Sequence, residues 1–527
     1  MMTAREDITR GYATLGIEFG STNIKAVLLG KQNEILATGN HAWQNKIVDG
    51  FWSYSTEEII SGMQACYSDL ADNVAKQYHT EINSLASIGI SAMMHGYLAF
   101  DSDNRLLTPF RTWRNTNTGE AANRLSSLFD FNVPMRWSIA HLYQAILDDE
   151  DHVQRIHHLN TLAGYVHWLL TDQLVLGVGD ASGMFPIDPE TKDYNAAMID
   201  KFQTLVGDAY QWKLSDILPQ VSTAGTVAGT LSAKGACLLD PSGSLKPGAV
   251  FCPPEGDAGT GMVATNAVAV RTGNVSIGTS IFEMVVLEES LAKHHPEIDI
   301  VATPTGKTVA MVHCNNGASE LDEWAKLFGD FAERIGAKPS TGEIFDALIH
   351  ASAEADPDGN GLMFFNYLSG EPITGLSAGR PLFFRTPNSS LTLANFILVQ
   401  LYSILATLKI GMNILSDEGV NIDVIVAHGG LLKTKNIAQQ IVANTLNTPV
   451  AAARTASNGG AWGIAVLARF TSLETNISLE EYLSEKVFSA DDFSVLYPDS
   501  VYAEGFNSFL TRYRQSLEVQ KAAVAHS

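Results

Sequence analysis

Cysteine is scarce in this chain, with four residues among 527. Cys66, Cys237, Cys252 and Cys314 lie far apart and form no CxxC pair, so we expect neither a disulfide framework nor a zinc site. Basic residues are also few, because 34 Lys and Arg stand against 57 Asp and Glu, a formal net charge of −23. This balance argues against nucleic acid or an anionic membrane as the main partner. An anionic ligand would therefore need a local source of positive potential.

Long uninterrupted apolar runs are also lacking. The most apolar stretch, Leu393–Leu415, contains scattered polar residues, so it is predicted to be a buried helix rather than a membrane span. The first sixteen residues carry four charges and have no apolar core of a signal peptide. Hydrophobic residues make up 46% of the chain, which is enough for a full core. At roughly 150 residues per domain, we expect a soluble, cytoplasmic protein of two or three domains.

Two glycine-hydroxyl segments stand out among alternating strand-like and helix-like segments. Gly20-Ser21-Thr22 separates two apolar runs within 13–29, and Gly278-Thr279-Ser280 does the same within 273–286. Small residues between strand-like runs predict a tight hairpin. The offset of 258 residues (278 − 20) is about half the chain. We therefore expect two related α/β domains, 1–265 and 266–527, with two unrelated hairpins as the alternative.

Turns of this kind offer a phosphate several backbone N–H groups that point in one direction. They would supply the local positive potential that an anionic ligand of this acidic chain needs.

Two other candidate phosphate-binding motifs do not match their full patterns. Gly306-Lys307-Thr308 lacks the first glycine of a P-loop, because Val301 stands in its place. Gly259-Thr260-Gly261 has the form of a dinucleotide fingerprint, but it leads into the second hairpin rather than a full βαβ unit.

Two carboxylates are candidates for catalysis and metal binding. Asp257 follows an apolar run and is bracketed by glycines, so it can project from a strand end and accept the proton of an attacking hydroxyl. The alternative is a solvated turn aspartate. Glu18 interrupts the apolar run before the first hairpin, where a carboxylate beside a phosphate turn is a natural Mg²⁺ ligand. The alternative is a charge on an exposed strand face.

Two further segments are candidates for binding a small polar molecule. Met94-His95 follows a strand-like run and can line such a site, although a lone histidine is more often a satisfied polar residue. Trp113 with Asn115 can offer a sugar an apolar plate and amide donors, with an ordinary surface loop as the alternative.

Taken in order over residues 13–470, these segments resemble the FGGY family of carbohydrate kinases, within the sugar kinase, heat-shock ATPase and actin superfamily. The segments that carry the resemblance are GIEFGSTNIKA, SAMMHG, the loop at Trp113, GDASGMFPID at 179–188, PPEGDAG, GNVSIGTS, GLMFFNYLSGE at 361–371, AHGGLLKTKNIAQQIVANTLNTPV at 427–450, and SNGGAWGIAVLA at 457–468.

The resemblance implies two ribonuclease-H-like (actin-like ATPase) α/β domains that face a central cleft, with ATP, Mg²⁺ and a ketose or polyol between them. It implies that Asp257 is the general base. The predicted site residues are, for the sugar, Met94, His95, Trp113, Asn115 and Asp257; for the phosphates, Gly20, Ser21, Thr22, Gly278, Thr279 and Ser280; for adenosine, Gly429, Gly430 and Asn458; and for Mg²⁺, Glu18 and Asp257. Dimers are common among proteins that resemble this family, so a homodimer is one expectation.

Three positions depart from the family pattern. Glu18 replaces the usual aspartate, which moves the carboxylate by about 1.5 Å. The usual Trp-x-Asp-x-Arg loop has Asn115 and Asn117 in place of its charged residues, and Ala258 follows Asp257. Met94-His95 matches xylulokinases, whereas Asp257-Ala258 matches ribulokinases, so we predict a ketopentose kinase for xylulose or ribulose.

Three alternatives to the ketopentose kinase stay open. The first is a kinase for a hexulose or polyol, and the second is a catalytically silent sugar- or nucleotide-binding protein of the same fold. The third, a chaperone- or actin-like ATPase, leaves SAMMHG and GDASGMFPID without a role.

Overall fold

The computed structural model describes residues 3–434, 436–453, 459–473 and 476–527. The chain forms two compact units. Unit 1 comprises Met1–Val268, Ile300–Val309 and Asn458–Ser489, and unit 2 comprises Ala269–Asp299, Ala310–Ser457 and Ala490–Ser527. Each unit is thus built from three separate stretches of the chain. The division of the sequence at residue 265 stays a prediction.

The strands run as follows: β1 Thr14–Phe19, β2 Asn23–Leu29, β3 Ile35–Ala42, β4 Lys46–Val48, β5 Phe51–Ser53, β6 Ser87–Ala92, β7 Leu98–Phe100, β8 His158–Asn160, β9 Val175–Gly177, β10 Ile187–Asp188, β11 Asp193–Tyr194, β12 Gln220–Ser222, β13 Val250–Phe251, β14 Glu255–Gly256, β15 Thr272–Ile277, β16 Ile281–Val286, β17 Ile298–Ala302, β18 Thr308–Cys314, β19 Leu362–Asn366, β20 Pro381–Arg385, β21 Val424–Gly429, β22 Val450–Ala453 and β23 Phe493–Leu496.

The α-helices run as follows: α1 Ala4–Thr9, α2 Thr56–Tyr78, α3 Gly119–Phe129, α4 Ser138–Leu147, α5 Leu162–Thr171, α6 Val178–Ala181, α7 Ala196–Val206, α8 Leu214–Ile217, α9 Ala233–Leu239, α10 Asp257–Ala264, α11 Ser319–Arg334, α12 Thr341–Ala351, α13 Leu393–Asp417, α14 Ile437–Leu446, α15 Gly459–Thr471, α16 Leu479–Tyr482 and α17 Ser500–His526.

The central sheet of unit 1 has the strand order β13-β6-β1-β2-β3. β1 and β2 form the first predicted hairpin, β3 runs antiparallel to β2, and β6 runs parallel to β1. Every residue of β6 is buried, because helices cover both faces of this part of the sheet. The sheet therefore places the turn after β1 beside the carboxyl end of β6.

A second sheet, most of whose strands belong to unit 2, repeats this pattern in the order β17-β18-β16-β15-β21-β22-β23. β15 and β16 form the second predicted hairpin, β21 runs parallel to β15, and β22 runs parallel to β21. A hairpin whose first strand then pairs with a parallel strand is the arrangement that both units share. The predicted fold class, two related ribonuclease-H-like α/β domains, is confirmed.

Helix α2 shows how the sequence builds the layer that packs on the sheet of unit 1. Ser55 accepts a hydrogen bond from the N–H of Glu58, and the Glu58 side chain accepts one from the N–H of Ser55, so a capping box, which the local sequence Ser-Thr-Glu-Glu indicates, begins the helix. The apolar face of α2 packs on β3 at Gly39, where a Cβ atom would lie 2.3 Å from the backbone oxygen of Cys66. Only glycine permits this approach.

Helix α13 is the one helix among the described residues that is long and apolar enough to cross a membrane. Its most apolar window has a mean hydropathy of 1.6, and 78% of that window is buried inside the protein. The side chain of Tyr402 packs edge-on against Phe506 of α17, with ring centroids 4.9 Å apart. The prediction of a buried core helix over this stretch is confirmed.

Candidate active site

The turn at Gly20, Ser21 and Thr22 joins β1 to β2 in unit 1. All three of its backbone carbonyls accept hydrogen bonds from two aromatic residues. Trp43 Nε1 donates to the Gly20 oxygen over 2.7 Å, Tyr54 Oη donates to the Ser21 oxygen over 2.6 Å, and the Trp43 N–H donates to the Thr22 oxygen over 3.1 Å. Within the described residues, the N–H groups of Ser21 and Thr22 have no protein acceptor. The turn therefore has amide donors available for an anion, as predicted for a phosphate site.

Glu18 lies two residues before this turn, in β1 opposite Lys25 of β2. Its side chain is partly buried and accepts the N–H of Ala461 over 3.3 Å. Burial raises the pKa of Glu18, although the charge of Lys25 opposes the rise. A Cβ atom at Gly460 would lie 2.3 Å from a carboxyl oxygen of Glu18, so a side chain there would displace the carboxyl group.

Asp257 is the first residue of helix α10, directly after β14, which pairs with β6. One of its carboxyl oxygens accepts the N–H of Met94 over 3.2 Å. The side chain is accessible to solvent, but protein surrounds the carboxyl group closely. The resulting loss of hydration, together with the charge of Glu18, raises the pKa of Asp257 to about 6. The structure thus brings both predicted carboxylates together in unit 1.

Met94 and His95 follow β6 and are nearly buried, at 7% and 5% exposure. The Nδ1 atom of His95 lies 3.1 Å from the backbone oxygen of Gly183. His95 has a φ of 67°, a left-handed conformation that is uncommon outside glycine and asparagine. A Cβ atom at Gly256 would lie 2.1 Å from Cγ of Met94, so the backbone before Asp257 packs directly on the methionine. Met94 therefore adjoins the carboxylate and His95 is its neighbour in the chain, and their contact with sugar stays a prediction.

The Trp113 loop meets the first hairpin through a side-chain hydrogen bond. Trp113 is 39% exposed, and its Nε1 atom donates to Oγ of Ser21 over 3.3 Å. Asn115 is buried, and its side chain is engaged by the backbone: the oxygen accepts the N–H of Trp52, and the nitrogen donates to the carbonyls of Trp52 and Thr112. Asn115 thus fastens this loop to β5, and a direct sugar contact for it stays a prediction.

Two more acidic residues lie beside Asp257 and were not among the predicted site residues. Asp180 and Glu255 are both completely buried, and Glu255 accepts the N–H of Asp180 over 2.9 Å. The hydroxyl of Thr161 donates a hydrogen bond to one carboxyl oxygen of Asp180 over 2.6 Å. Burial raises the pKa of Asp180 to about 7 and that of Glu255 well above its usual range. The negative charge of Asp257 adds to the shift at Asp180, so these three carboxyl groups form one electrostatic group.

The turn at Gly278, Thr279 and Ser280 joins β15 to β16 in unit 2. The N–H of Gly278 donates to the Ser280 oxygen over 3.0 Å and closes the turn. Two further amides bond to its carbonyls: Gly317 N–H donates to the Thr279 oxygen and Ala318 N–H donates to the Gly278 oxygen, each over 2.8 Å. A Cβ atom at Gly317 would lie 2.2 Å from the Gly278 oxygen, so this contact requires glycine.

A buried amide network holds the segment that carries Gly317. The backbone and side-chain N–H groups of Asn316 both donate to one carboxyl oxygen of Glu371, over 3.2 and 3.0 Å. Asn366 donates its amide to the backbone oxygens of Asn316 and Gly317, over 3.0 and 2.8 Å. Burial raises the pKa of Glu371 to about 7, against the opposing effect of the Asn316 donors. The segment GLMFFNYLSGE thus holds Gly317 in place against the second turn.

Glu283 of β16 lies in the strand that follows the second turn. It has 0% exposure, and neither of its carboxyl oxygens has a hydrogen-bond partner within the described residues. Burial raises the pKa of Glu283 to about 8, against the opposing charge of Lys409 on α13. Its charge in turn contributes to the raised pKa of the buried Cys314 thiol on β18, after burial itself and Glu371.

Gly429 and Gly430 lie at the carboxyl end of β21, which pairs with β15 so that Gly429 stands opposite Ile277. Gly429 has a φ of 113°, and a Cβ atom there would lie 2.3 Å from the Ile277 oxygen. Both glycines are exposed, so the sheet edge next to the second hairpin is open. Asn458, also predicted for the adenosine site, lies outside the described residues.

The donor set of unit 1 fits a hard divalent cation. Glu18 and Asp257 supply carboxylate oxygens, the ligands that Mg²⁺ prefers, and the charge of Glu18 raises the pKa of Asp257, which a cation would offset. In the part of the chain that the structure describes, no group of three or more His, Cys, Asp or Glu residues could hold a metal ion. A Mg²⁺ ion here would therefore keep water or phosphate oxygens as its other ligands.

The sequence patterns do not single out Asp180, Glu255 and Asn366, although each lies in a segment that carries the family resemblance. A polar residue inside an apolar or glycine-rich segment was the available signal, as in GDASGMF and LMFFNYL. No local pattern predicts Trp43 and Tyr54, because each acts on a turn more than twenty residues earlier in the chain.

The chain matches one family along most of its length. Residues 13–240 match the N-terminal domain of the FGGY family of carbohydrate kinases, and residues 273–472 match its C-terminal domain. A xylulose kinase from Haemophilus influenzae is 20% identical over 512 residues, which are 95% of this chain and 98% of that protein.

Solved structures show the same fold. A ligand-bound xylulose kinase from Lactobacillus acidophilus superposes with a TM-score of 0.77 at 18% identity, covering 98% of this chain and 99% of that one. A gluconate kinase from Lactobacillus acidophilus superposes with a TM-score of 0.78 at 18% identity and the same coverage. At this identity the superpositions establish the fold, and the sequence matches establish the family. The chain belongs to the FGGY family of carbohydrate kinases and is a phosphotransferase that acts on an alcohol group of a small-molecule sugar.

Proposed function

We propose that this protein is an ATP-dependent ketopentose kinase that phosphorylates a primary hydroxyl of xylulose or ribulose, with Asp257 as the general base. The observation that carries the proposal is the environment of Asp257. It is accessible to solvent, bonded by the N–H of Met94, and has a pKa raised to about 6. A base with a pKa just below the working pH is ionised and still accepts a proton effectively.

In the proposed reaction, Asp257 takes the proton of the sugar hydroxyl as its oxygen attacks the γ-phosphorus of ATP. The bond from phosphorus to the bridging oxygen of ADP breaks, and the phosphoryl group passes to the sugar. Such transfers depend on alignment and on stabilising the charge of the phosphoryl oxygens. We assign that stabilisation to the free amides of Ser21 and Thr22 and to the turn at 278–280.

We assign Mg²⁺ to Glu18 and Asp257. When bound, the ion supplies positive charge that offsets the negative charge of the phosphate oxygens. The acidic chain itself supplies little such positive charge. Glu18 is held for this role by the N–H of Ala461 and by the contact at Gly460. Glutamate is longer than the aspartate that is usual at this position in the family. Glycine at 460 leaves room for the carboxyl group of Glu18.

Neighbouring residues and a relative both bear on which sugar the protein phosphorylates. Met94-His95 adjoins Asp257, and the relative that spans 95% of this chain is a xylulose kinase, so xylulose is the first candidate. Ala258 after Asp257 favours ribulose. Asn115 is engaged by the backbone, so recognition of the sugar falls mainly on Met94, His95 and the exposed face of Trp113.

The test is a coupled ADP-release assay with ATP and Mg²⁺ across D-xylulose, L-xylulose, D-ribulose, L-ribulose, D-fructose, glycerol and D-gluconate. We expect one ketopentose to stimulate ADP release well above the rate with water alone, and the product to carry phosphate on its primary hydroxyl. Stimulation by gluconate or glycerol alone would replace the ketopentose assignment. A lack of stimulation by every compound would overturn the proposal.

Asp257→Asn tests the base directly. We expect kcat to fall by about 10²- to 10⁴-fold, because the amide cannot accept the proton. Asp200→Asn, on the exposed face of α7, is the matched control and should retain full turnover. Turnover of Asp257→Asn within a few-fold of the control would show that Asp257 is not the base.

A further inference from the structure

The three carbonyls of the first turn are an obstacle to phosphate binding. A carbonyl oxygen carries partial negative charge, so a free one beside the turn amides would repel the anion that those amides attract. The turn contains no basic side chain that could offset this repulsion. Its amides can therefore attract a phosphate effectively only if the carbonyls are turned away and bonded to other donors.

Trp43 and Tyr54 meet that requirement together. Their side chains bond to the carbonyls of Gly20 and Ser21, over 2.7 and 2.6 Å, and the backbone N–H of Trp43 bonds to the carbonyl of Thr22 over 3.1 Å. In the peptide units of the first two carbonyls, the N–H groups of Ser21 and Thr22 point the opposite way and have no acceptor among the described residues. The positive potential at this turn thus depends on two aromatic donors that stand behind it.

Packing fixes both donors in place. Trp43 is 8% exposed and Tyr54 is 1% exposed, and their rings stack with centroids 4.0 Å apart and an interplanar angle of 23°. Phe19 meets the other edge of Trp43 at 5.9 Å. Burial raises the pKa of Tyr54 to about 12, so its hydroxyl stays protonated and can donate at neutral pH. A stacked, buried pair loses little conformational entropy in holding the turn.

We propose that Trp43 and Tyr54 are positioning residues that hold the first turn in its phosphate-binding conformation; this inference rests on the proposed function, in which the turn binds the phosphates of ATP. Neither side chain touches the nucleotide. They act by orienting the peptide units at 20–22. The affinity for ATP therefore depends on hydrogen bonds made on the side of the turn that faces away from the nucleotide.

Tyr54→Phe tests the inference, because it removes one oxygen atom and keeps the stacked ring. We expect KM for ATP to rise by about 3- to 10-fold, the range of one lost hydrogen bond, while KM for the sugar stays unchanged. Trp43→Phe, which removes the indole N–H, should shift KM for ATP in the same direction. Calorimetric titration of each variant with Mg²⁺-ATP in the absence of sugar should show the same loss of affinity.

Tyr78→Phe is the matched control, because Tyr78 Oη also donates to a backbone carbonyl of unit 1, that of Leu36 over 2.9 Å, away from the turn. It should leave both KM values unchanged. Equal Mg²⁺-ATP affinity in Tyr54→Phe and Tyr78→Phe would overturn the inference. So would a loss in Tyr54→Phe that raises KM for sugar and ATP alike. Absence of sugar-dependent turnover in the wild type would count against the proposed function, and the titration would still decide this inference.

Discussion

Glu283 makes the stability of this protein depend on pH in a direction opposite to that of most carboxylates. The residue is fully buried without a hydrogen-bond partner among the described residues, and its pKa is raised from 4.5 to about 8. Between these two values the folded state keeps a proton that the unfolded state releases. Folding stability therefore falls as pH rises from about 5 to 8, and it levels off above 8, where both states are ionised.

The magnitude follows from the same two pKa values. A difference of one bound proton changes the free energy of unfolding by about 1.4 kcal/mol per pH unit. From pH 5 to pH 7, Glu283 would therefore lower stability by up to about 3 kcal/mol. Glutamine cannot ionise, so Glu283→Gln should match the wild type near pH 5 and become progressively more stable than it up to pH 8.

The measurement is the thermal unfolding midpoint of the wild type and of Glu283→Gln at pH 5, 6, 7 and 8, followed by calorimetry so that transitions of the two units are separated. Glu333→Gln, on the exposed side of α11, is the control for loss of a surface charge and should show no such trend. A difference between Glu283→Gln and the wild type that stays constant over this range, or that shrinks as pH rises, would refute the reasoning.

Two glycine substitutions test the geometry of each unit against controls in open space. Gly460→Ala should reduce turnover more than ten-fold, because its Cβ would displace the carboxyl group of Glu18, whereas Gly261→Ala, with no atom within 4 Å, should keep normal turnover. Gly317→Ala should weaken Mg²⁺-ATP binding, measured by calorimetric titration, because its Cβ would push against the carbonyl of the second turn. Gly342→Ala in α12 should leave binding unchanged and stabilise the helix by about 0.5–1 kcal/mol, and equal binding by the two variants would contradict the role given to Gly317.

The parts of the structure that depend on neighbouring residues could be predicted from the sequence. Both hairpins were predicted because apolar runs flank a short glycine-hydroxyl turn, and that pattern acts within a dozen residues. The capping box at Ser55 and the buried helix α13 are equally local. The recurrence of the turn after 258 residues then predicted two related halves, which the shared strand order bears out.

The parts that depend on distant residues could not be predicted in the same way. Glu255 bonds to the N–H of Asp180, 75 residues earlier, and Asn366 bonds to the carbonyl of Gly317, 49 residues earlier. Periodicity indicates which face of an element is buried, but it does not indicate which buried polar groups meet. Asn115 illustrates the limit, since no local pattern indicates that its amide bonds to the backbone of Trp52 and Thr112, and its contact with a sugar stays a prediction.

Helix α15 has a consequence for how the protein is made. Although it begins at residue 459, it belongs to unit 1 and packs on β1 and β6, where Gly16 and Gly89 leave room for its backbone. A ribosome therefore synthesises most of unit 2 before the sheet of unit 1 can acquire the helix that covers it. Until then, the strand that carries Glu18 has an apolar face without its partner, and the N-H of Ala461 that holds this carboxylate has not been synthesised. Glu18, beside the first turn, therefore acquires this hydrogen bond only after a segment 443 residues later in the chain has been made.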